Sequence, residues 1–136
     1  MFMLTLGAGM NFGFPDVCKT PMPPVGEPVP IPYPNIAMSA TTAPAAYTVL
    51  TDAMPSINQM SEGLVSVGDE PGIMLGMVDE DISGGTEYIV GCITVFVEGA
   101  PAQRLTSVTG QNAIGKAPNA PGVCTTPSQA TVLTLG

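Results

Sequence analysis

Apolar and polar positions in this chain change places in short runs cut by glycine and proline. Residues 47–51 (YTVLT) and 92–98 (CITVFVE) are β-branched and aromatic runs bounded by turn residues, which predicts two strands. Residues 131–135 (TVLTL) read as a third strand and residues 3–6 (MLTL) as a weaker fourth. Helical periodicity is poor throughout. The best helical turn is 56–63 (SINQMSEG), kept short by Pro55 and Gly63. Residues 15–37 hold eight of the fifteen prolines. Within them, Pro28, Pro30, Pro32 and Pro34 alternate with Val29, Ile31 and Tyr33. Proline fixes φ and removes a backbone donor, so this run is an extended rib close to polyproline II, outside any central sheet ladder. Its apolar alternate residues predict one buried side. Composition alone also fits a proline-rich linker or an SH3-type ligand. Cys18 and the strands that follow favour an outer strap on a folded body.

The two main strand segments repeat. Thr48 to Pro55 aligns with Thr94 to Pro101 at a constant offset of 46 positions. Each reads strand, acidic-small turn, one residue, proline, second strand. Glu98-Gly99 is a tight hairpin signal because glycine takes positive φ without cost. Asp52-Ala53 is a poorer turn pair and predicts a looser first hairpin. Thr131 to Gly136 repeats the first strand and stops at its turn. The pattern predicts an all-β body of pseudo-repeated hairpins joined by proline- and glycine-rich extended straps. Asp69-Glu70-Pro71-Gly72 reads as a turn, with Gly72 free to go left-handed. Residues 79–86 (DEDISGGT) read as a polar loop. Residues 110–127 read as a loop from which Pro118, Pro121 and Pro127 exclude helix.

The bulk numbers narrow the function classes. At 136 residues the chain is one domain, 1–136. Only 10% of residues are charged while 45% are hydrophobic, which predicts a surface partly covered by a partner. The net charge is −8, and the three cations are Lys19, Arg104 and Lys116, so binding nucleic acid through phosphates is not expected. The acids cluster at Asp69-Glu70 and Asp79-Glu80-Asp81, as a solvated loop would. The apolar N-terminus lacks the basic start of a signal peptide and is too short to span a bilayer.

Catalytic sets are missing. The sequence has no histidine, which removes Ser-His and Cys-His nucleophiles and most zinc hydrolase sites. There is no phosphate-binding glycine loop after a strand. With three Tyr, four Phe and no Trp, sugar-binding platforms for paired carboxylates are scarce. The chain is not expected to be an enzyme. Cys18, Cys92 and Cys124 allow three readings: buried small hydrophobes, a three-thiolate zinc site, or a Cys18–Cys124 disulfide. The first is preferred, and no cofactor is expected. The nine methionines read as core filling.

Longer motifs resemble a known family. Pro15-Asp16-Val17-Cys18-Lys19-Thr20-Pro21 and Pro28 to Ala37 resemble the opening of PAAR-like spike-tip proteins of contractile injection systems, such as type VI secretion. Gly68-Asp69-Glu70-Pro71-Gly72, Glu98 to Thr106 and Pro127 to Leu133 are similar to later parts of the same branch. The resemblance implies a small cone of β-hairpins with pseudo-threefold symmetry. Its base would cap a trimeric, VgrG-like β-helical spike, one tip per trimer, and its apex would meet the target membrane transiently. It implies a protein that is cytoplasmic until loaded and then leaves with the spike. Metal-binding PAAR tips hold zinc near the apex through histidines, which this chain lacks. Relatives often carry a toxin after the tip; here none is expected after Gly136. The residues expected to meet the spike are Val49, Val95, Val97, Val132 and Leu133, with Ile31 and Tyr33 on the rib. The competing expectation is a small binding adaptor whose proline rib docks as a peptide ligand.

Overall fold

The computed structural model describes residues 1–23, 26–74, 76, 84–113 and 117–135. Its strands are β1 (Met10–Pro21), β2 (Pro28–Met38), β3 (Thr42–Ala43), β4 (Ala46–Thr51), β5 (Met54–Ser56), β6 (Glu62–Gly63), β7 (Thr86–Val90), β8 (Phe96–Val97), β9 (Ala100–Pro101), β10 (Val108–Gln111) and β11 (Ala120–Thr126). The fold is all-β, as expected. A single 3₁₀ turn, Ser39–Thr41, is the only helical segment among the described residues.

The proline rib is β2, the edge of a seven-stranded sheet ordered β2-β1-β11-β10-β7-β6-β3. It runs antiparallel to β1 from Pro21↔Pro28 to Met10↔Met38, with a bulge in β1 between Gly13 and Asp16. The alternation of prolines explains how a proline-rich segment joins a ladder. Ile36 turns its backbone outward, exchanging two 2.8 Å hydrogen bonds with Val67. Residues two apart on a strand turn the same way. Pro28, Pro30, Pro32 and Pro34 therefore put their donor-less nitrogens on that outer edge, while the residues between them pair with β1. An edge without N–H groups cannot template a further strand. Of the alternate residues expected to be buried, Ile31 and Tyr33 are half-buried, Tyr33 Oη lying 2.7 Å from Thr20 Oγ1, whereas Val29 is exposed. The buried side of the strand starts later, at Asn35 and Ala37.

Two expectations fail. Residues 56–63 form no helical turn: Ser56 ends β5, Asn58 bridges Ala102, and Glu62-Gly63 are β6. Long-range pairing here overrides a weak local preference. Residues 110–127 are not all loop, since Ala120–Thr126 is β11, between β1 and β10. Pro121 is tolerated in this inner strand because β1–β11 pairing ends at Gly13↔Gly122, just before it. The expected polar loop at 79–86 lies outside the described residues up to 83, as do Lys116 and the acids 79–81; Thr86 begins β7.

One apolar cluster packs Leu4, Ile57, Tyr88 and Cys124 together. Around it the interior is polar to an unusual degree. Asn11, Asn35, Gln103, Gln111 and Asn112 are among its largest fully buried side chains. Most are paired: Asn11 Nδ2 donates to Tyr88 Oη at 3.1 Å and Thr86 Oγ1 to Gln111 Oε1 at 2.8 Å. Small side chains and hydrogen bonds fill the interior, while many of the large aliphatics, Leu50, Leu64, Ile73 and Ile93 among them, are exposed.

Candidate functional site

The repeat seen in the sequence is a pair of matching hairpins. Asp52 (φ 53) and Ala53 (φ 62) connect β4 to β5, and Glu98 (φ 51) and Gly99 (φ 82) connect β8 to β9. Both central residues have positive φ in each case, the form of two-residue turn that suits the strand twist. The first hairpin is therefore as tight as the second, although only the second has glycine. The long arm of each then bulges: Ala46 pairs with Ser56 and the next pairing is Leu50↔Pro55, while Cys92 N donates to Ala102 O at 2.8 Å and the ladder resumes at Phe96↔Pro101.

The two ends of the described chain make a third hairpin without a turn. Thr134 N donates to Met1 O at 2.7 Å, and Leu133 bridges Phe2. This matches Thr51↔Met54 and Val97↔Ala100. Gln129 occupies the position of Ala46 and Cys92, and its side-chain Nε2 donates to Met3 O at 2.8 Å where Cys92 uses its backbone N–H.

The three units close into a ring. Leu4 N donates to Gln103 O (2.8 Å), Gln103 N to Ile57 O (3.0 Å), and Ile57 N to Leu4 O (3.0 Å). One step out, a second cycle links the same three units with donation running the opposite way: Leu105 N to Phe2 O (2.8 Å), Leu6 N to Pro55 O (3.0 Å) and Gln59 N to Pro101 O (2.9 Å). The bridges Met3↔Arg104, Thr5↔Ser56 and Asn58↔Ala102 follow the same rotation. Three sequence-distinct segments thus obey one threefold rule in their backbone hydrogen bonds. Met3, Ala46, Cys92, Val97 and Ala102 fill the space between the units.

Side chains obey the rule as well. Thr51, Val97 and Thr134 are equivalent and buried, at 6%, 5% and 3% exposure. Leu50, Phe96 and Leu133 are equivalent and exposed, at 62%, 60% and 57%. Val49, Val95 and Val132 form the row beside them, Val95 half-buried and the other two exposed. The sequence-predicted residues therefore separate. Val49, Val95, Val132 and Leu133 share the hairpin arms; Val97 lies inside; Ile31 and Tyr33 sit on β2, in a different sheet. Leu50 and Phe96 were missed, although the 46-position alignment already set them opposite each other. The corner charges are unequal. Glu98 Oε1 accepts the Thr48 backbone N–H at 2.9 Å and also the Thr48 hydroxyl, bonds that hold its carboxyl below its ordinary pKa. Asp52 takes the same position on the first hairpin and Leu135 on the third.

The three cysteines do not converge. All are free and buried. Cys92 belongs to the core between the hairpins and Cys124 to the cluster around Tyr88. Among the described residues the three thiols are not gathered into one site, and Cys92 and Cys124 sit as small side chains in separate apolar clusters. Burial raises the Cys124 thiol to about 11. Cys18 has different company. Its Sγ lies 3.6 Å from Asp16 Oδ1 and 3.7 Å from Asp69 Oδ2, and all three residues are fully buried. Burial, then the two carboxylates, push this thiol up to about 12. The Asp-Glu-Pro-Gly turn supplies Asp69, closed by Gly72 N donating to Asp69 O at 2.9 Å. Gly72 has no positive φ; its small size matters because a Cβ there would collide with Cys18 Cβ.

No helix among the described residues is long and apolar enough to cross a membrane. No solved structure matches the chain. A stretch of 104 residues is 35% identical to the DNase toxin Tse7 of Pseudomonas aeruginosa, covering 73% of this chain and 27% of that protein. The chain thus spans about a quarter of the length of that relative. The family model for the Toxin PAAR-like domain matches residues 9–119. With most of its length inside that match, the chain belongs to the Toxin PAAR-like domain family.

Proposed function

We propose that this chain caps the blunt end of a trimeric, VgrG-like β-helical spike in a contractile injection system such as type VI secretion. One copy sits on each trimer. The observation that carries the reading is the threefold ring of backbone hydrogen bonds, with Leu50, Phe96 and Leu133 projecting from equivalent places. A body with one internal threefold axis offers a threefold partner the same apolar contact on each subunit, which a single asymmetric patch cannot do. Val49, Val95 and Val132 flank these anchors. Val97 supports the face from inside. Ile31 and Tyr33 keep the proline rib in place and take no part in docking. Family membership supports the same reading.

On this reading the chain acts by fit and stiffness, not by catalysis, and nucleic acid is not its ligand. The name DNase belongs to Tse7, and nothing in the described site arranges a nucleophile or general base. The chain waits in the cytoplasm, leaves with the spike and meets the target membrane in passing. The adaptor reading loses its footing because the rib is paired with β1 along its length and is not free to enter a groove.

The test is binding of purified chain to immobilised cognate spike trimer. Apolar anchors at the centre of an interface each cost ~2 kcal/mol or more when removed. Phe96→Asp is expected to weaken binding by roughly 30-fold or more. The double variant Leu50→Asp/Leu133→Asp is expected to abolish it. Unchanged affinity in both would sink the reading.

A further inference from the structure

Among the described residues, Asp16, Cys18 and Asp69 are the one group with metal-ligand spacing, their ligand atoms within 4.8 Å of one another. That spacing alone would admit a tetrahedral ion. The surrounding amides decide otherwise. Asn35 Nδ2 donates to Asp16 Oδ2 at 2.6 Å, Asn119 Nδ2 donates to Asp16 Oδ1, and Asn112 Nδ2 donates to Asp69 Oδ2 at 3.1 Å. Two of these orientations are fixed from outside the cluster. Asn112 must keep its oxygen towards Gly84 N, which donates to it at 2.9 Å. Asn119 must keep its nitrogen towards Val17 O, 3.0 Å away. Asn35 leaves its own Oδ1 buried without a partner while donating to Asp16. An amide nitrogen with its hydrogens is a donor to a carboxylate and not a ligand to a cation. Three such donors occupy both oxygens of Asp16 and one of Asp69.

We infer that Asp16, Cys18 and Asp69 form a hydrogen-bonded knot that works without metal, with the amides of Asn35, Asn112 and Asn119 in the place of a cation. The knot ties β1 to β2, to the 69–72 turn, and to the segments carrying Asn112 and Asn119. Its members are far apart in sequence, so it locks long loops where a metal would otherwise do so. The inference is independent of the spike-docking reading.

The experiment uses the full chain. Purified protein is analysed for metal by mass spectrometry, and its Tm is measured with chelator and with added zinc. Substoichiometric metal and a Tm indifferent to both are expected. One metal per chain together with a Tm drop on chelation would overturn the inference. Asn112→Asp separates the two cases further. It replaces a donor by a third carboxylate, so the knot should lose roughly 5–10 °C of Tm in metal-free buffer. An unchanged Tm in that variant would contradict the inference. If the variant fails to fold, Cys18→Ser serves instead. A hydroxyl still donates to the carboxylates, so the Tm should hold to within about 5 °C. Cobalt added to the wild-type chain should give no thiolate charge-transfer absorption, and the appearance of that band would also refute the knot.

Discussion

The ring of three units contains one misfit, and it makes a quantitative test. Leu4 and Ile57 are fully buried and apolar, and the third equivalent position is Gln103, also fully buried. Both of its side-chain polar atoms, Nε2 and Oε1, have no hydrogen-bond partner. The site is tight: a Cβ on Gly91 would lie 2.6 Å from Gln103 Nε2. Gln103→Met keeps length and approximate volume and removes both orphaned groups. Each buried, unpaired polar group costs about 1–3 kcal/mol. Allowing for imperfect packing of the thioether, the variant should be more stable by about 2–4 kcal/mol. The assay is equilibrium urea unfolding followed by circular dichroism, with Tm from calorimetry. The midpoint should rise while the m-value stays constant. Tm should rise by roughly 5–15 °C for a domain of this size. A midpoint that is unchanged or lower would show that Gln103 is paired after all and that the ring's interior tolerates polarity for another reason. A changed m-value would mean that the variant altered the unfolded ensemble, and the stability comparison would fail.

Three further outcomes follow from particular contacts. Gly72→Ala drives a Cβ into Cys18 and should cost about 1–3 kcal/mol in urea unfolding; an unchanged midpoint would remove the steric role given to Gly72. Stability should fall as pH rises from about 9: the unfolded thiols ionise near their ordinary 9.0, while Cys124 and Cys18 stay protonated in the folded state until about 11 and about 12. Raised folded-state values mean that this stabilisation is complete below pH 9 and is lost through 11 to 12, at up to ~1.4 kcal/mol per unit for each thiol. Cys18→Ser should flatten the alkaline limb of the midpoint-versus-pH curve, and an unaltered limb would contradict the assignment. Incubated with plasmid DNA and magnesium, the chain should leave the DNA intact; cleavage that co-purifies with the folded protein would overturn the non-catalytic reading.

Much of the fold was legible because it rests on local rules. Alternating prolines at 28–34 dictate an edge strand, and the matched segments 48–55 and 94–101 dictate matched hairpins. The ends of the repeats were harder. Nothing local marks Met1–Leu4 as the return arm of a hairpin whose outgoing arm lies at 131–134; only the threefold ring makes that pairing obligatory. Residues 56–63 deceive for the same reason, since Ile57 and Asn58 are held by partners at Leu4 and Ala102. At the proposed docking face the valines were visible as strand residues, but exposure is a tertiary property. Leu50 and Phe96 look like core until the hairpin arms bulge and turn them outward. Around Cys18 the sequence offers a lone cysteine. Its two carboxylates and three amides come from positions 16 to 119, and no spacing rule gathers them.

The most direct test of the central claim is native mass spectrometry of the chain mixed with its purified cognate spike trimer. The account predicts a single complex of three spike subunits and one copy of this chain, lost when Leu50, Phe96 and Leu133 are all changed to Asp. Three copies per trimer, or no complex with a well-folded chain, would contradict it.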